Sequence, residues 1–214
     1  MDTTDLDVVR DAFEEAGAFL VASVESVPEA AWDAPGLGEW TVRELAVHAS
    51  RAATSVAQYL EEGRGLTGDD ASGDSVAYYT TVLAGDDVHR TVAERSRSQA
   101  AELDEDVGDY VRRVVAEAVG AVRRAAGTDV VVTPAGPMTL AAYLPSRVVE
   151  LVVHGIDLCD AVGLQARPPD SAMAVTVRTL TEVALRRPGA ADPAALFRAL
   201  TGRAPLPGDT DVFR

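Results

Sequence analysis

The stretch "SRVVELVVHGIDLCD", residues 146–160, predicts the central helix of the protein, because its apolar residues cover nearly the whole circumference of a helix. Surface helices carry an apolar stripe on one side, so a helix that is apolar all round is a buried central helix. Glu150 and His154 lie inside this run. An unpaired carboxylate is costly to bury and is normally neutralised, paired or bound to a metal. Glu150 therefore needs a partner.

The spacing of polar residues on this helix predicts a metal site. Residues four apart leave the same face of a helix one turn from each other, so Glu150 and His154 can bind one ion together. A second apolar stripe, in the helix that follows Thr41, places His48 on its inward side. Two imidazoles and one carboxylate suit a divalent transition metal, and three protein ligands leave a position open for water or substrate. An open position indicates catalysis.

Two simpler interpretations stay open at this point. A single histidine on an apolar helical face is more often a core residue than a metal ligand. Glu150 can also be satisfied by a buried ion pair with Arg147 or Arg43. The third histidine of the chain, His89, lies at a polar helix start and is interpreted as solvated.

Further polar residues extend the same face of the central helix. Asp157 follows His154 by three residues and can accept its free ring N–H or act as a general base near bound water. Arg147 precedes Glu150 by three residues and is assigned to binding of the cofactor or an anionic substrate. Tyr78 and Tyr79 follow a long connection and can line a pocket.

Composition limits the class of protein. A formal net charge of -15 argues against a sequence-independent grip on nucleic acid, which needs a basic face. The apolar runs are much shorter than the roughly 20 residues that cross a bilayer, and the acidic start "MDTTDLD" does not fit a signal peptide. We therefore expect a cytoplasmic protein with no membrane partner. Cys159 is the only cysteine, which excludes an internal disulfide and a Cys-rich zinc site.

Hydrophobic periodicity predicts a mainly all-α fold, an antiparallel four-helix bundle with one long crossover between its second and third helices. Pro145 lies in the first two turns of the central helix, where a kink or a second helix start is expected. We divide the chain into a bundle, 1–165, and a C-terminal helical extension packed on it, 166–214. The predicted helices span 4–25, 41 to about 62, 86–103, 110–126, 139–162, 172–186 and 193–200, with a small hairpin or extended segment near 129–138.

Local signals predict several helix starts. Thr41 and Glu44 match a capping box, Thr139 can cap the central helix, and Thr3 or Thr4 can cap the first helix. The segment 27–40 contains two prolines and two glycines and is predicted to be a loop whose Trp32 and Trp40 pack back onto the body.

Two segments resemble a known family. "GLGEWTVRELAVHAS", residues 36–50, and "MTLAAYLPSRVVELVVHGIDLCDAVGL", residues 138–164, are similar to the mycothiol-dependent maleylpyruvate isomerase family of the DinB/YfiT-like metalloenzyme superfamily. The resemblance covers about residues 4–165. It implies a DinB-like bundle in which His48, Glu150 and His154 hold Zn²⁺, with mycothiol as the thiol cofactor. It also implies that Asp157 and a C-terminal arginine, matched here to Arg203, contribute to catalysis.

The resemblance leaves the substrate open, because the isomerase itself carries a separate C-terminal α/β domain and only about fifty residues of helical pattern follow the bundle here. We predict a metal- and mycothiol-dependent isomerase or S-transferase that acts on a small, electrophilic, carboxylate-bearing substrate. The alternatives are a thiol-independent metal-dependent hydrolase and a non-catalytic ligand-binding or stress protein. The sequence leaves the oligomeric state undecided.

Overall fold

The structure, a computed structural model, describes the backbone of residues 6–83 and 88–206, and the side chains of these residues except 88–93 and 95. Two short 3-10 turns, Glu29–Ala31 and Gly68–Asp70, interrupt the loops. The helices and strands are α1 (Leu6–Glu25), α2 (Val42–Glu62), α3 (Ser75–Val82), α4 (Val88–Ala101), α5 (Val107–Arg124), β1 (Val130–Thr133), β2 (Gly136–Thr139), α6 (Leu140–Ala161), α7 (Asp170–Arg186) and α8 (Pro193–Leu200).

Four long helices form the predicted bundle. Helix α1 packs against α5 and α6, and α2 packs against the same two helices. The predicted long crossover leads from α2 to α5 and contains α3 and α4, of which only α4 is among the predicted helices. Helix α7 packs on α6, α1 and α3. The all-α fold is therefore confirmed, while the division of the chain at residue 165 stays a prediction.

The start of α2 is fixed by the predicted capping box. Thr41 Oγ1 accepts a hydrogen bond from the Glu44 backbone N–H at 3.2 Å, and Glu44 Oε2 accepts one from the Thr41 N–H at 2.8 Å. These bonds satisfy two N–H groups that a helix start otherwise leaves without partners. Trp32 and Trp40 pack against the core, as predicted. The caps predicted at Thr3 or Thr4 lie outside the described residues.

Helix α6 is the central helix of the fold. Twelve of its residues are buried, which confirms the interpretation of the apolar run. Gly155 allows α1 to approach closely, because a Cβ at this position would lie 2.5 Å from a ring carbon of Phe19. On the same part of α6, the buried Cys159 donates from Sγ to Ser23 Oγ of α1 at 3.5 Å.

A hairpin sets where α6 begins. Strands β1 and β2 pair antiparallel, with Val130 opposite Thr139. Thr139 ends β2 and also caps α6, because its Oγ1 accepts a hydrogen bond from the Ala142 N–H at 3.3 Å. The same end of the hairpin ladder touches α2, since Gly63, the residue after α2, lies directly against the Val130 carbonyl.

Of the kink or second start expected at Pro145, the second start is wrong, and so is the start of α5 at residue 110. Helix α6 is continuous from Leu140 to Ala161 with Pro145 inside it, so there is no second start. Proline removes only one backbone donor at this position, and burial of the surrounding turns stabilises the helix on both sides of it. Helix α5 begins at Val107 rather than at residue 110, because Asp106 caps it by accepting a hydrogen bond from the Asp109 N–H at 3.1 Å.

The length and apolarity of the described helices bear on whether any of them could span a membrane. None of the helices within residues 6–83 and 88–206 combines the length and the apolarity that a bilayer span requires.

Candidate functional site

Helices α2 and α6 bring the three predicted metal ligands into one cluster. On α6, His154 Nε2 lies 3.4 Å from Glu150 Oε2. The imidazole of His48, on α2, meets that of His154 edge to face, with ring centroids 4.8 Å apart. The capping box places His48 seven residues after Thr41, two turns into α2, where the bundle faces α6. The sequence prediction that these side chains converge is therefore matched by their positions.

His48 is held by two residues that the sequence analysis did not connect with it. The indole of Trp40 packs on the imidazole, with ring centroids 4.4 Å apart. Ser96 Oγ of α4 lies 3.1 Å from His48 Nδ1, which leaves Nε2 as the ring nitrogen without a hydrogen bond among the described residues. Burial, together with the neighbouring charge of His154, lowers the pKa of His48 to about 3, so this imidazole is neutral at pH 7.

Glu150 finds its partners in a tyrosine and a histidine. The Tyr79 hydroxyl, on α3, donates to Glu150 Oε1 at 2.9 Å. No ion pair within 4 Å joins Glu150 to Arg147 or Arg43 among the described residues, so the alternative of a buried Arg–Glu pair is not formed. Burial alone would raise the pKa of Glu150, but the adjacent His154, the charge of Arg147 and the Tyr79 hydrogen bond outweigh it and hold this pKa well below its usual value.

His154 is placed between two carboxylates. Its Nδ1 donates to Asp157 Oδ2 at 3.0 Å, while Nε2 faces Glu150. Burial would lower the pKa of His154, but the hydrogen bond to Asp157 and the proximity of Glu150 outweigh burial and raise the pKa to about 9. His154 is therefore an imidazolium at neutral pH in the absence of any bound ion, and Asp157 fixes the orientation of its ring.

Arg147 lies one turn before Glu150 and is buried, with 7% of its surface exposed. Its guanidinium carbon is 4.9 Å from the ring centroid of Tyr78 and 4.8 Å from that of Tyr143. Its Nε donates to Ser146 Oγ at 3.1 Å. The arginine is thus held against two aromatic rings beside the cluster.

The cluster opens into a cavity of about 570 Å³ between α2, α3 and α6. Its wall is largely apolar and aromatic, and Tyr78 and Tyr79 belong to it, as the sequence analysis suggested. A site of this size and character is typical of small-molecule binding. The lining consists of Leu37, Trp40, His48, Ala49, Arg51, Ala52, Ser55, Tyr59, Tyr78, Tyr79, Val82, Leu83, Pro134, Arg147, Glu150, Val153, His154 and Asp157.

Two residues from the sequence analysis lie elsewhere. Arg203 is exposed in the turn after α8, where its Nη1 donates to the Thr201 carbonyl at 3.2 Å, and it does not line the cavity. The structure therefore does not bring Arg203 to the other predicted site residues, and its catalytic role stays a prediction. The side chain of His89 lies outside the described residues.

The cluster as it stands is held by hydrogen bonds and charge. Within the part of the chain that the structure describes, no group of three or more His, Cys, Asp or Glu side chains is arranged so that it could hold a metal ion. His154 Nε2 and Glu150 Oε2 lie 3.4 Å apart, which is the separation of an ion pair when His154 is protonated.

Comparison with known proteins identifies the family. A family model described as the mycothiol maleylpyruvate isomerase N-terminal domain matches residues 13–159, more than half of the chain. The chain belongs to the mycothiol maleylpyruvate isomerase N-terminal domain family. The family domain contains His48, Glu150, His154 and Asp157, whereas Arg203 follows it. No curated protein and no solved structure matches the chain.

Sequence reasoning missed part of the cavity wall of this family domain. Arg51 and Ser55 follow His48 at steps of three and four residues, so helical spacing alone could have placed them on the same face. The contacts that Tyr79 and Ser96 make with the cluster had no such signal, because they depend on how the crossover packs against the bundle.

Proposed function

We propose that the chain is a metal-dependent isomerase or S-transferase that uses a low-molecular-weight thiol, mycothiol, and acts on a small, electrophilic, carboxylate-bearing substrate. Membership of a family described by mycothiol and maleylpyruvate isomerase supports the thiol and the reaction class. The observation that carries the proposal is the cluster of His48, Glu150 and His154 at the wall of the cavity. Two imidazoles and a carboxylate on neighbouring helices are a donor set for a divalent transition metal, with Zn²⁺ favoured.

No three of the described side chains are arranged as a metal site as they stand, but the separation of the two donors on α6 fits such an ion. Two ligand atoms about 2 Å from Zn²⁺ at the tetrahedral angle are about 3.3 Å apart. The distance between His154 Nε2 and Glu150 Oε2 is 3.4 Å. A metal requires a neutral imidazole, so its binding would release the Nε2 proton of His154 and free that nitrogen. His48 is already neutral, and Ser96 occupies its Nδ1, so Nε2 is the nitrogen that would face the ion.

A bound divalent cation supplies one chemical effect, which is to lower the pKa of a coordinated thiol so that a thiolate nucleophile is present near neutral pH. The residues of the chain position this centre. Asp157 holds the Nδ1 proton of His154 and directs Nε2 toward the cluster. Tyr79 holds one oxygen of Glu150, which leaves the other for the ion. The apolar wall of the cavity keeps bulk water away from the reacting groups.

Calorimetry tests this function directly. Protein loaded with one equivalent of Zn²⁺ is titrated with mycothiol, and the same protein stripped with a chelator serves as the control. We expect one thiol to bind per chain only when zinc is present, because the ion stabilises the thiolate. Metal analysis of untreated protein should find about one divalent ion per chain. Absence of a thiol interaction in the zinc-loaded protein would remove the thiol from the function, and activity with thiol omitted would point to a hydrolase.

Asp157→Asn is expected to weaken zinc binding by about 10- to 100-fold, because the partner of a histidine ligand orients the ring and raises its basicity. Zinc affinity is measured by competition with a chromophoric chelator. Asp160→Asn is the matched control, since Asp160 is exposed on the same helix one turn from the cluster side chains. Equal zinc affinity of the two variants would show that Asp157 does not position a metal ligand.

A further inference from the structure

The guanidinium of Arg147 has hydrogen-bond donors that nothing in the described part of the chain uses. Only its Nε is engaged, by Ser146 Oγ, and Nη1 and Nη2 have no acceptor among the described residues. The residue is 7% exposed and lines the cavity. Four arginines at the surface do have an ion-pair partner, a carboxylate within 3 Å. They are Arg97, Arg112, Arg113 and Arg123.

The carboxylates nearest to Arg147 make their contacts with other residues. Glu150 accepts from the Tyr79 hydroxyl and faces His154, and Asp157 accepts from His154 Nδ1. No carboxylate lies within 4 Å of the guanidinium among the described residues. A buried cation without an ion-pair partner is costly, and an anion from outside would relieve that cost. The guanidinium therefore has no carboxylate among the described residues in direct contact with it.

Aromatic rings fix the guanidinium in a binding orientation. Tyr78 and Tyr143 each lie within 5 Å of its central carbon, and their rings are nearly perpendicular to each other. Tyr143 is itself held by a hydrogen bond between its hydroxyl and Ser55 Oγ at 3.1 Å. Ring contacts stabilise the positive charge of an arginine. An aromatic ring does not, however, replace an anion as the acceptor of the N–H hydrogen bonds. A guanidinium fixed in this way is prepared for a planar acceptor with two oxygens, such as a carboxylate.

The wall around this donor is suited to the rest of such a ligand. Trp40, Tyr59 and Tyr78 present aromatic surface to the cavity, and Val82 and Leu83 add apolar surface. We propose that Arg147 is the anchor for the carboxylate of an aromatic monocarboxylic acid or a similarly planar, apolar one, whose ring packs among these side chains. Binding of this ligand at Arg147 needs neither metal nor thiol. Only the statement that the ligand is the substrate rests on the proposed function.

The test measures binding to the full chain without metal and without thiol. Benzoate is titrated by calorimetry into chelator-treated protein, and benzamide, which has the same shape but no charge, is titrated in parallel. We expect saturable binding of benzoate and binding of benzamide that is at least about 10-fold weaker, since hydrogen bonds to a charged group are worth more than neutral ones.

Two variants and a matched control locate the anchor. Arg147→Met is expected to weaken benzoate binding by about 10- to 100-fold, and Arg147→Lys by a smaller factor, because lysine keeps the charge but not the paired donors. Arg43→Met is the control, since Arg43 also lies against an aromatic ring, that of Trp32, but does not line the cavity. It should bind benzoate as the unaltered protein does.

Circular dichroism and a thermal melt establish that each variant is folded. If Arg147→Met does not fold, the comparison of benzoate with benzamide and the Arg147→Lys variant still decide the question. Benzoate that fails to saturate, benzamide that binds equally well, or a folded Arg147→Met with unchanged affinity would each overturn the proposal. These results leave the zinc and thiol experiments untouched, so failure of the anchor and failure of the proposed function are distinguishable.

Discussion

Glu150→Gln is expected to abolish tight binding of a divalent metal while leaving the fold in place. The amide keeps the shape of the side chain and can still accept the Tyr79 hydrogen bond through its oxygen. It loses the negative charge, however, and an amide is a poor ligand for zinc. Because changes to the partners of metal ligands already cost about 10- to 100-fold, loss of a ligand should cost more than about 100-fold in affinity.

The readouts are zinc content after dialysis and the melting temperature with and without zinc. An ion that binds only the folded state raises the melting temperature. Zinc should therefore raise the melting temperature of the unaltered protein and leave that of Glu150→Gln unchanged. Glu62→Gln is the matched control, because Glu62 is exposed at the end of α2, where its carboxylate accepts a hydrogen bond from Gln58. One zinc per chain in Glu150→Gln would place the metal elsewhere in the molecule.

Gly63→Ala is expected to destabilise the fold by about 3 kcal/mol or more. A Cβ at this position would lie 1.9 Å from the Val130 carbonyl oxygen, and that oxygen belongs to the backbone of β1. The strand cannot yield freely, because Val130 pairs with Thr139 and Thr139 caps α6. The clash would therefore push the hairpin away from α2 and disturb the start of α6. Urea denaturation measures the loss as a lower midpoint.

Gly120→Ala provides the contrast for this experiment. Gly120 lies inside α5, and the nearest atom to an added Cβ is the end of the Arg124 side chain, which can move aside. Alanine favours a helix over glycine by roughly 0.5–1 kcal/mol, so this variant should be slightly more stable than the unaltered protein. A Gly63→Ala protein as stable as Gly120→Ala would mean that β1 does not hold its position against α2.

Signals confined to one segment predicted most of the fold. The capping box of Thr41 and Glu44 and the cap at Thr139 depend on neighbours within about one turn, the apolar circumference of α6 depends on residues of that helix alone, and each is found as predicted. The convergence of Glu150 and His154 follows from the same helical spacing.

Features that depend on packing between segments could not be read in this way. Tyr79 donates to Glu150 across a sequence separation of 71 residues, and Ser96 reaches His48 across 48. Their positions are set by how α3 and α4 lie against the bundle, which periodicity does not specify. Arg203, which is matched by resemblance, lies in an exposed turn away from the cavity, and its role stays a prediction.

The burial of Cys159 has a practical consequence for a protein proposed to work with a small thiol. Its sulfur is covered on α6 and contacts Ser23, and 6% of the residue is exposed. To form a mixed disulfide, the Cys159 thiolate must attack one sulfur of a small disulfide and release the other as a thiol, so exchange can occur only when this region opens and the disulfide reaches it. Since no other cysteine competes, the rate at which a disulfide reagent modifies the native chain reports directly on that opening.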